Sequence, residues 1–189
     1  MKKLAAICAS FLAANPVFAD GHDGKVKAYV TQSIVPWIGD PILVRAVAQQ
    51  NAKTAGLSQD QIDTLDLAWR GEVGSNSTPT IDAVLVSPAS DFLRSKLDAS
   101  GGMITEVFAM DARGLNVAAS GITSDYWQGD EDKFAKTFPD GPGAVFVDQV
   151  EFDESSQSYL VQVSLTLTDP ATGQPIGAVT VGLNAESLF

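Results

Sequence analysis

Reactive side chains are scarce in this 189-residue chain, which has one cysteine, Cys8, and one histidine, His22. A lone cysteine excludes an intrachain disulfide and a cysteine-built zinc site. A lone histidine near the N-terminus offers little to histidine-dependent catalysis. Basic residues are also few: 12 Lys and Arg stand against 23 Asp and Glu, a net charge of −11. Such a surface repels nucleic acid and anionic lipid headgroups and favours cationic partners. No apolar run reaches the ~20 residues of a membrane-spanning helix, so direct membrane insertion is not expected. Carboxylate pairs occur everywhere in so acidic a chain and mark no hydrolase by themselves. The expectation is a protein that is not an enzyme and needs no cofactor.

What the sequence does have begins at its N-terminus. Lys2 and Lys3 precede the apolar stretch 4–14, and Val17-Phe18-Ala19 offers small residues where a signal peptidase reads. Residues 1–19 therefore read as a signal peptide cleaved after Ala19, which predicts export to the periplasm. Ile7 precedes Cys8, where a lipoprotein signal needs a small residue, so no lipid anchor is expected. Residues 20–189 suit one domain.

That domain divides into a helical part, 20–100, and a strand-rich part, 101–189. A first helix is predicted over Lys25–Ile34, ended by Pro36. Asp40-Pro41 reads as an N-cap with proline in the first turn, opening a helix through Ala52. Ser58 and Gln61 have capping-box spacing and open a third, in which Ile62, Leu65 and Trp69 recur at three and four. Residues 71–80 read as a loop, and Ser87-Pro88 starts a short helix. Past Gly101-Gly102 the period changes. Strands are predicted over Ile104–Met110, Leu115–Ala119, Ala144–Phe152, Tyr159–Thr168 and Pro175–Leu183. A long polar-aromatic connection, Ser120–Phe138, holds a short helix near Asp132–Lys136. Along the fourth strand Val161, Val163, Leu165 and Leu167 alternate with polar residues, giving one packed face and one polar face. The order predicts an α+β fold: an antiparallel sheet of about five strands with long N-terminal helices packed on one face.

Several segments carry a resemblance. They are ITEVFAMDARGLNVAAS, TSDYWQGDEDKF and VSLTLTDPATGQPIGAVTVGLN, with QQNAKTAGLSQDQIDTLDLAWRGE and SDFLRSKL before them. In this order they resemble the extracytoplasmic, PAS-like sensor domains called Cache or PDC domains, over nearly the whole of 20–189. The resemblance implies a single Cache domain that binds a small polar ligand between its sheet and the adjoining loops and passes the bound state to a signalling partner. Family members usually sit between two membrane helices and feed a cytoplasmic module. Here the sequence ends at Phe189, after the last strand, so the expected reader is a separate membrane-bound receptor or histidine kinase. The rival expectation is a non-catalytic interaction protein with a vestigial pocket.

Each candidate site residue has two open readings. Asp125, Tyr126, Trp127 and Asp130 place rings beside carboxylates, the chemistry of a box for an amine or amino acid. Alternatively, Trp127 fills the core while Asp125 and Asp130 cap the following helix. Phe108 and Phe146 could floor a pocket or pack the core. Asp148 is a carboxylate in a strand otherwise rich in apolar residues, which calls for water, a partner or an edge position. Arg70 could reach a ligand carboxylate or one of the protein's own. The run Asp130-Glu131-Asp132 lacks the spacing of a calcium loop and suits a solvated helix N-terminus. Cleavage after Ala19 would expose Asp20-Gly21-His22, whose amine, amides and imidazole can wrap Cu(II) or Ni(II). The same residues also read as a tail that merely contains a histidine.

Overall fold

The computed structural model describes residues 19–153 and 158–189. Residues 1–18 of the expected signal segment 1–19, Cys8 among them, lie outside the described residues, as do the side chains of Asp20 and His22. No helix among the described residues is long and apolar enough to cross a membrane.

Pro36 does not end the first helix. Helix α1 (Ala19–Tyr29) widens into a π-helical turn, Val30–Ile34, and continues as α2 (Val35–Ile38). Proline lacks the N–H that a regular helix needs and clashes with the preceding turn. The wide turn, closed by the Val35 N–H on the Val30 carbonyl, leaves Pro36 in the first turn of α2, where that N–H is not required. Val26, Val30, Ile34 and Trp37 then form one buried line.

Helix α3 (Pro41–Thr54) opens as its sequence dictates, with the Asp40 carboxylate accepting the Ile42 N–H at 2.9 Å. Helix α4 (Gln59–Glu72) carries both halves of the Ser58–Gln61 capping box. The expected loop 71–80 is shorter than predicted, because α4 runs to Glu72 and a further helix, α5 (Pro79–Leu85), begins at Pro79. Thr78 caps α5 with no side-chain bond. Glu72 does so instead, accepting the N–H groups of Thr80 and Ile81 at 2.8 and 2.9 Å. Helix α6 (Pro88–Ala99) starts at Ser87, whose hydroxyl accepts the Ser90 N–H.

Five strands follow: β1 (Ile104–Asp111), β2 (Asn116–Ala119), β3 (Val145–Asp153), β4 (Ser158–Thr168) and β5 (Pro175–Asn184). They pair antiparallel in the order β2-β1-β5-β4-β3. The short helix α7 (Asp132–Ala135) lies in the β2–β3 connection, and α8 (Ala185–Leu188) closes the chain.

The strand alternation sorts residues onto two faces. Val107, Ala109, Val163, Leu165, Val179 and Val181 meet Val30, Ile34, Leu43, Val47 and Leu93 in the main core. This is the helix-covered face expected from the sequence. On the other face Phe108, Met110 and Ala178 join a second core with Trp69 of α4, Ile81 and Val84 of α5, and Phe134 of α7. Helices α4 and α5 thus bring apolar residues to the face that α1–α3 leave uncovered. Covered at one end, that face remains open at the other.

Candidate functional site

The open end of the second face is a groove of about 450 Å³, and irregular strand pairing shapes it. The β1–β5 register shifts between Ile104 and Glu106, leaving Thr105 in a bulge. The β3–β4 register shifts between Val147 and Val150, placing Asp148 and Gln149 in another. Bulges re-aim side chains and locally end regular pairing. Thr105, Asp148 and Gln149 all line the groove.

Between the bulges, Glu106, Gly182 and Gln162 are opposed across β1, β5 and β4. Gly182 has no side chain to stand between its neighbours. A Cβ there would come within 2.6 Å of Glu106 Cγ and 2.8 Å of Thr105 Oγ1. The Glu106 side chain uses that space, and its Oε1 accepts the Gln162 amide at 2.6 Å. The Thr105 hydroxyl is buried and makes no hydrogen bond among the described residues.

Helix α7 and its N-cap supply the facing wall. Glu131 carries the N-cap backbone and Lys133 the first turn. The Lys133 ammonium lies 2.8 Å from the Glu131 carboxylate, 3.3 Å from Gln128 Oε1 and 5.6 Å from the centre of the Phe108 ring. With Glu151 from β3, the groove carries four carboxylates, Glu106, Glu131, Asp148 and Glu151, against one lysine. Among the described residues no group of three or more Asp, Glu, His or Cys side chains could hold a metal ion.

The sequence-predicted site residues fall into two places. Asp148 lines the groove and bonds its own neighbour, accepting the Gln149 N–H at 2.8 Å. Phe108 lies beneath Lys133, and half-buried Phe146 lies beneath the Lys136 ammonium, 4.7 Å from it. Asp125, Tyr126 and Trp127 gather instead around α4. Buried Asp66 accepts the N–H groups of Tyr126 and Trp127 through Oδ1, at 2.9 and 3.0 Å. Its Oδ2 meets Arg70 at 2.7 Å, and Arg70 Nε meets the Asp125 carboxylate at 2.7 Å. Arg70 is thus spent on the protein's own carboxylates. Tyr126 stacks on Trp69 with ring centres 5.4 Å apart, and burial, reinforced by the Asp111 carboxylate, pushes its hydroxyl up to about 12. The Trp127 indole donates to the Arg113 carbonyl at 2.8 Å and closes onto the β1–β2 turn. Asp130 is exposed.

Glu106, Lys133 and Glu151 were not singled out from sequence, and Glu131 only as part of an acidic run. Glu106 carried a legible signal, a carboxylate among the apolar residues of β1, the same feature that marked Asp148. Glu131 reads from sequence as part of a solvated helix N-terminus. It is the N-cap residue of α7, but its carboxylate makes no capping bond and takes the lysine instead.

A second groove, of about 620 Å³, lies between α3 and the α5–α6 junction on the helical side, and its charged residues are Asp40, Arg45 and Lys53.

No family model matches the chain, and no curated protein is similar to it. Solved structures similar to it include sensor and ligand-binding domains. The ligand-binding domain of the Campylobacter jejuni chemoreceptor Tlp3, in complex with 4-methylisoleucine, is 12% identical over 88% of this chain and 61% of that one, with a TM-score of 0.41. The sensor domain of the V. cholerae histidine kinase DctB is 10% identical over 88% and 56%, with a TM-score of 0.42. The ligand-binding domain of the Pseudomonas aeruginosa amino-acid chemoreceptor PctC, in complex with GABA, is 13% identical over 81% and 62%, with a TM-score of 0.41. This chain spans less than two thirds of each of those three chains.

Proposed function

We propose that this protein is an extracytoplasmic, non-catalytic sensor module of the Cache type that captures a small amine, or a metabolite presenting an amine, in the groove beside α7. One observation carries the reading: on the open sheet face, four carboxylates line a groove in which the one cation among the described residues is a lysine already bound to one of them. An alkylammonium entering it exchanges water for charge-assisted hydrogen bonds. A free carboxylate ligand would find no unpaired cation among the described residues of the lining. In this proposal Asp148, with Glu106 and Glu151, supplies the charge. Asp125, Tyr126 and Trp127 hold the connection that carries Glu131 and Lys133, with Phe108 and Phe146 beneath it and Asp130 at its exposed edge.

Isothermal titration at neutral pH with n-butylamine and with butyrate tests this. The amine should bind and butyrate should not. Asp148→Ala and Glu106→Ala should each weaken the amine, on the order of tenfold or more by analogy with truncating one partner of a desolvated charge pair. Preference for butyrate, or unchanged amine affinity in both variants, would refute the groove as the site.

Read-out by a separate membrane-bound partner, and export with cleavage after Ala19, belong to the same proposal. Amino-terminal sequencing of exported protein, expected to begin at Asp20, tests the second. Cu(II) or Ni(II) capture by Asp20, Gly21 and His22 depends on that cleavage, and loss of the visible copper band in His22→Ala would test it.

A further inference from the structure

Lys133 in α7 and Lys136 at its C-cap each pair with a carboxylate and lie over a ring, but they differ in exposure. Lys136 faces solvent, its side chain 52% exposed, and pairs with Asp132 one turn back. Lys133 turns inward and is 14% exposed, although lysine ordinarily keeps its ammonium in water. Its ammonium rests on a carboxylate, an amide oxygen and the face of an aromatic ring. Those three groups together make a receptor for a primary alkylammonium, combining charge, a directed acceptor and cation–π attraction. The chain fills this receptor with its own side chain.

We propose that Lys133 is a tethered cation that sets the groove's specificity: it occupies one of two ammonium positions and so confines the ligand to a single positive charge. This rests on the reading of the groove as an amine site. With Lys133 seated on Glu131, a ligand ammonium is left the other carboxylates, Glu106, Asp148 and Glu151. The far ammonium of a diamine meets Lys133, and like charges in a partly desolvated groove repel. With the lysine ammonium gone, Glu131, Gln128 and Phe108 become free for that second charge. The groove then changes from a monoamine site to a diamine site with the rest of its lining unaltered.

The test is titration of wild type, Lys133→Ala and Lys133→Arg with n-butylamine and with 1,4-diaminobutane. The quantity read is the ratio of the two affinities. Lys133→Ala should raise the diamine-to-monoamine ratio at least tenfold, and Lys133→Arg, which keeps the cation, should leave it at the wild-type value. A lysine that merely packs α7 would lower both affinities together and leave the ratio unchanged in Lys133→Ala, which would overturn the proposal. An arginine variant that shifts the ratio as alanine does would also overturn it. If monoamine binds wild type and the ratio does not move, the specificity role fails while the amine site stands. If neither amine binds any variant, the amine site fails and this proposal with it. Should circular dichroism show Lys133→Ala unfolded, Lys133→Met, which keeps the apolar stem and removes the charge, takes its place with the same expected rise.

Discussion

At the scale of single residues, Gly182 and Tyr126 show how packing fixes chemistry. Gly182 matters for the space it leaves. A methyl group there would overlap Glu106 Cγ and Thr105 Oγ1, so Gly182→Ala must shift these side chains and is expected to break the Glu106 bond to Gln162. The expected loss is about 1–2 kcal/mol of stability. Amine affinity should fall with it, because the displaced carboxylate is one of the groove's charges. Chemical denaturation and titration of the same variant check both; unchanged values would mean the side chain has another place to go. Tyr126 makes a prediction in pH. Its hydroxyl is raised to about 12 by burial and by the Asp111 carboxylate, against 10.0 in the unfolded chain. A group with a raised folded pKa contributes its full stability below the unfolded value and loses it as pH rises through the folded value. Stability should therefore fall between pH 10 and 12, by on the order of 2 kcal/mol from this residue. Tyr126→Phe should flatten that stretch of a melting-temperature profile, and an equally steep profile would assign the alkaline loss to other groups.

At the scale of elements, a buried carboxylate helps to hold the connection between β2 and β3 in place, beside the bonds from Trp69 and Asn116. Asp66 accepts two consecutive N–H groups from that connection and the Arg70 guanidinium from its own helix. Asp66→Ala would leave two partly buried donors without acceptors and a guanidinium without one of its two partners. The expected cost is ~2–4 kcal/mol from the two donors together. Amide exchange at 123–128 should rise more than anywhere in the sheet, and uniform exchange across the chain would show that the clamp is not local. This clamp was illegible in the sequence, and the reason is general. The caps at Asp40, Ser58 and Ser87 and the alternation from Val161 to Leu167 are local patterns, and the structure follows them. Helix α5 was missed because its cap, Glu72, sits in another helix. The helix break expected at Pro36 was absent because a π-helical turn absorbed the proline. The groove was missed in outline because it depends on two register shifts, and nothing in the spacing of apolar residues announces a bulge. Asp148 was visible as a carboxylate out of place, whereas its neighbours in the groove come from strands and a helix far apart in sequence. The ring-and-carboxylate pattern of 125–127 was legible as an interacting cluster, but the partner that takes Asp125, Arg70, comes from α4.

At the scale of the whole molecule, charge is distributed unequally over the two sheet faces. The groove beside α7 carries four carboxylates and one lysine, whereas the groove on the helical side carries Arg45 and Lys53 with Asp40. The chain as a whole bears a net charge of −11. A cation approaching the first groove is therefore attracted by the local wall and by the field of the entire protein. The two contributions respond differently to salt. At 0.15 M the screening length is about 8 Å, so the distant charges are already damped, while contacts within the groove are screened much less. Raising ionic strength from about 0.02 to 0.15 M should thus slow amine association by removing the long-range pull, with a smaller change in dissociation. A further rise to about 0.5 M should change both only modestly. Surface plasmon resonance measurement of the two rates with n-butylamine separates these contributions. An association rate that does not move between the two lower salt concentrations would mean that the protein's acidity plays no part in capture. The surface charge would then serve solubility alone, and only the short-range contacts of Glu106, Asp148 and Glu151 would remain to select the ligand.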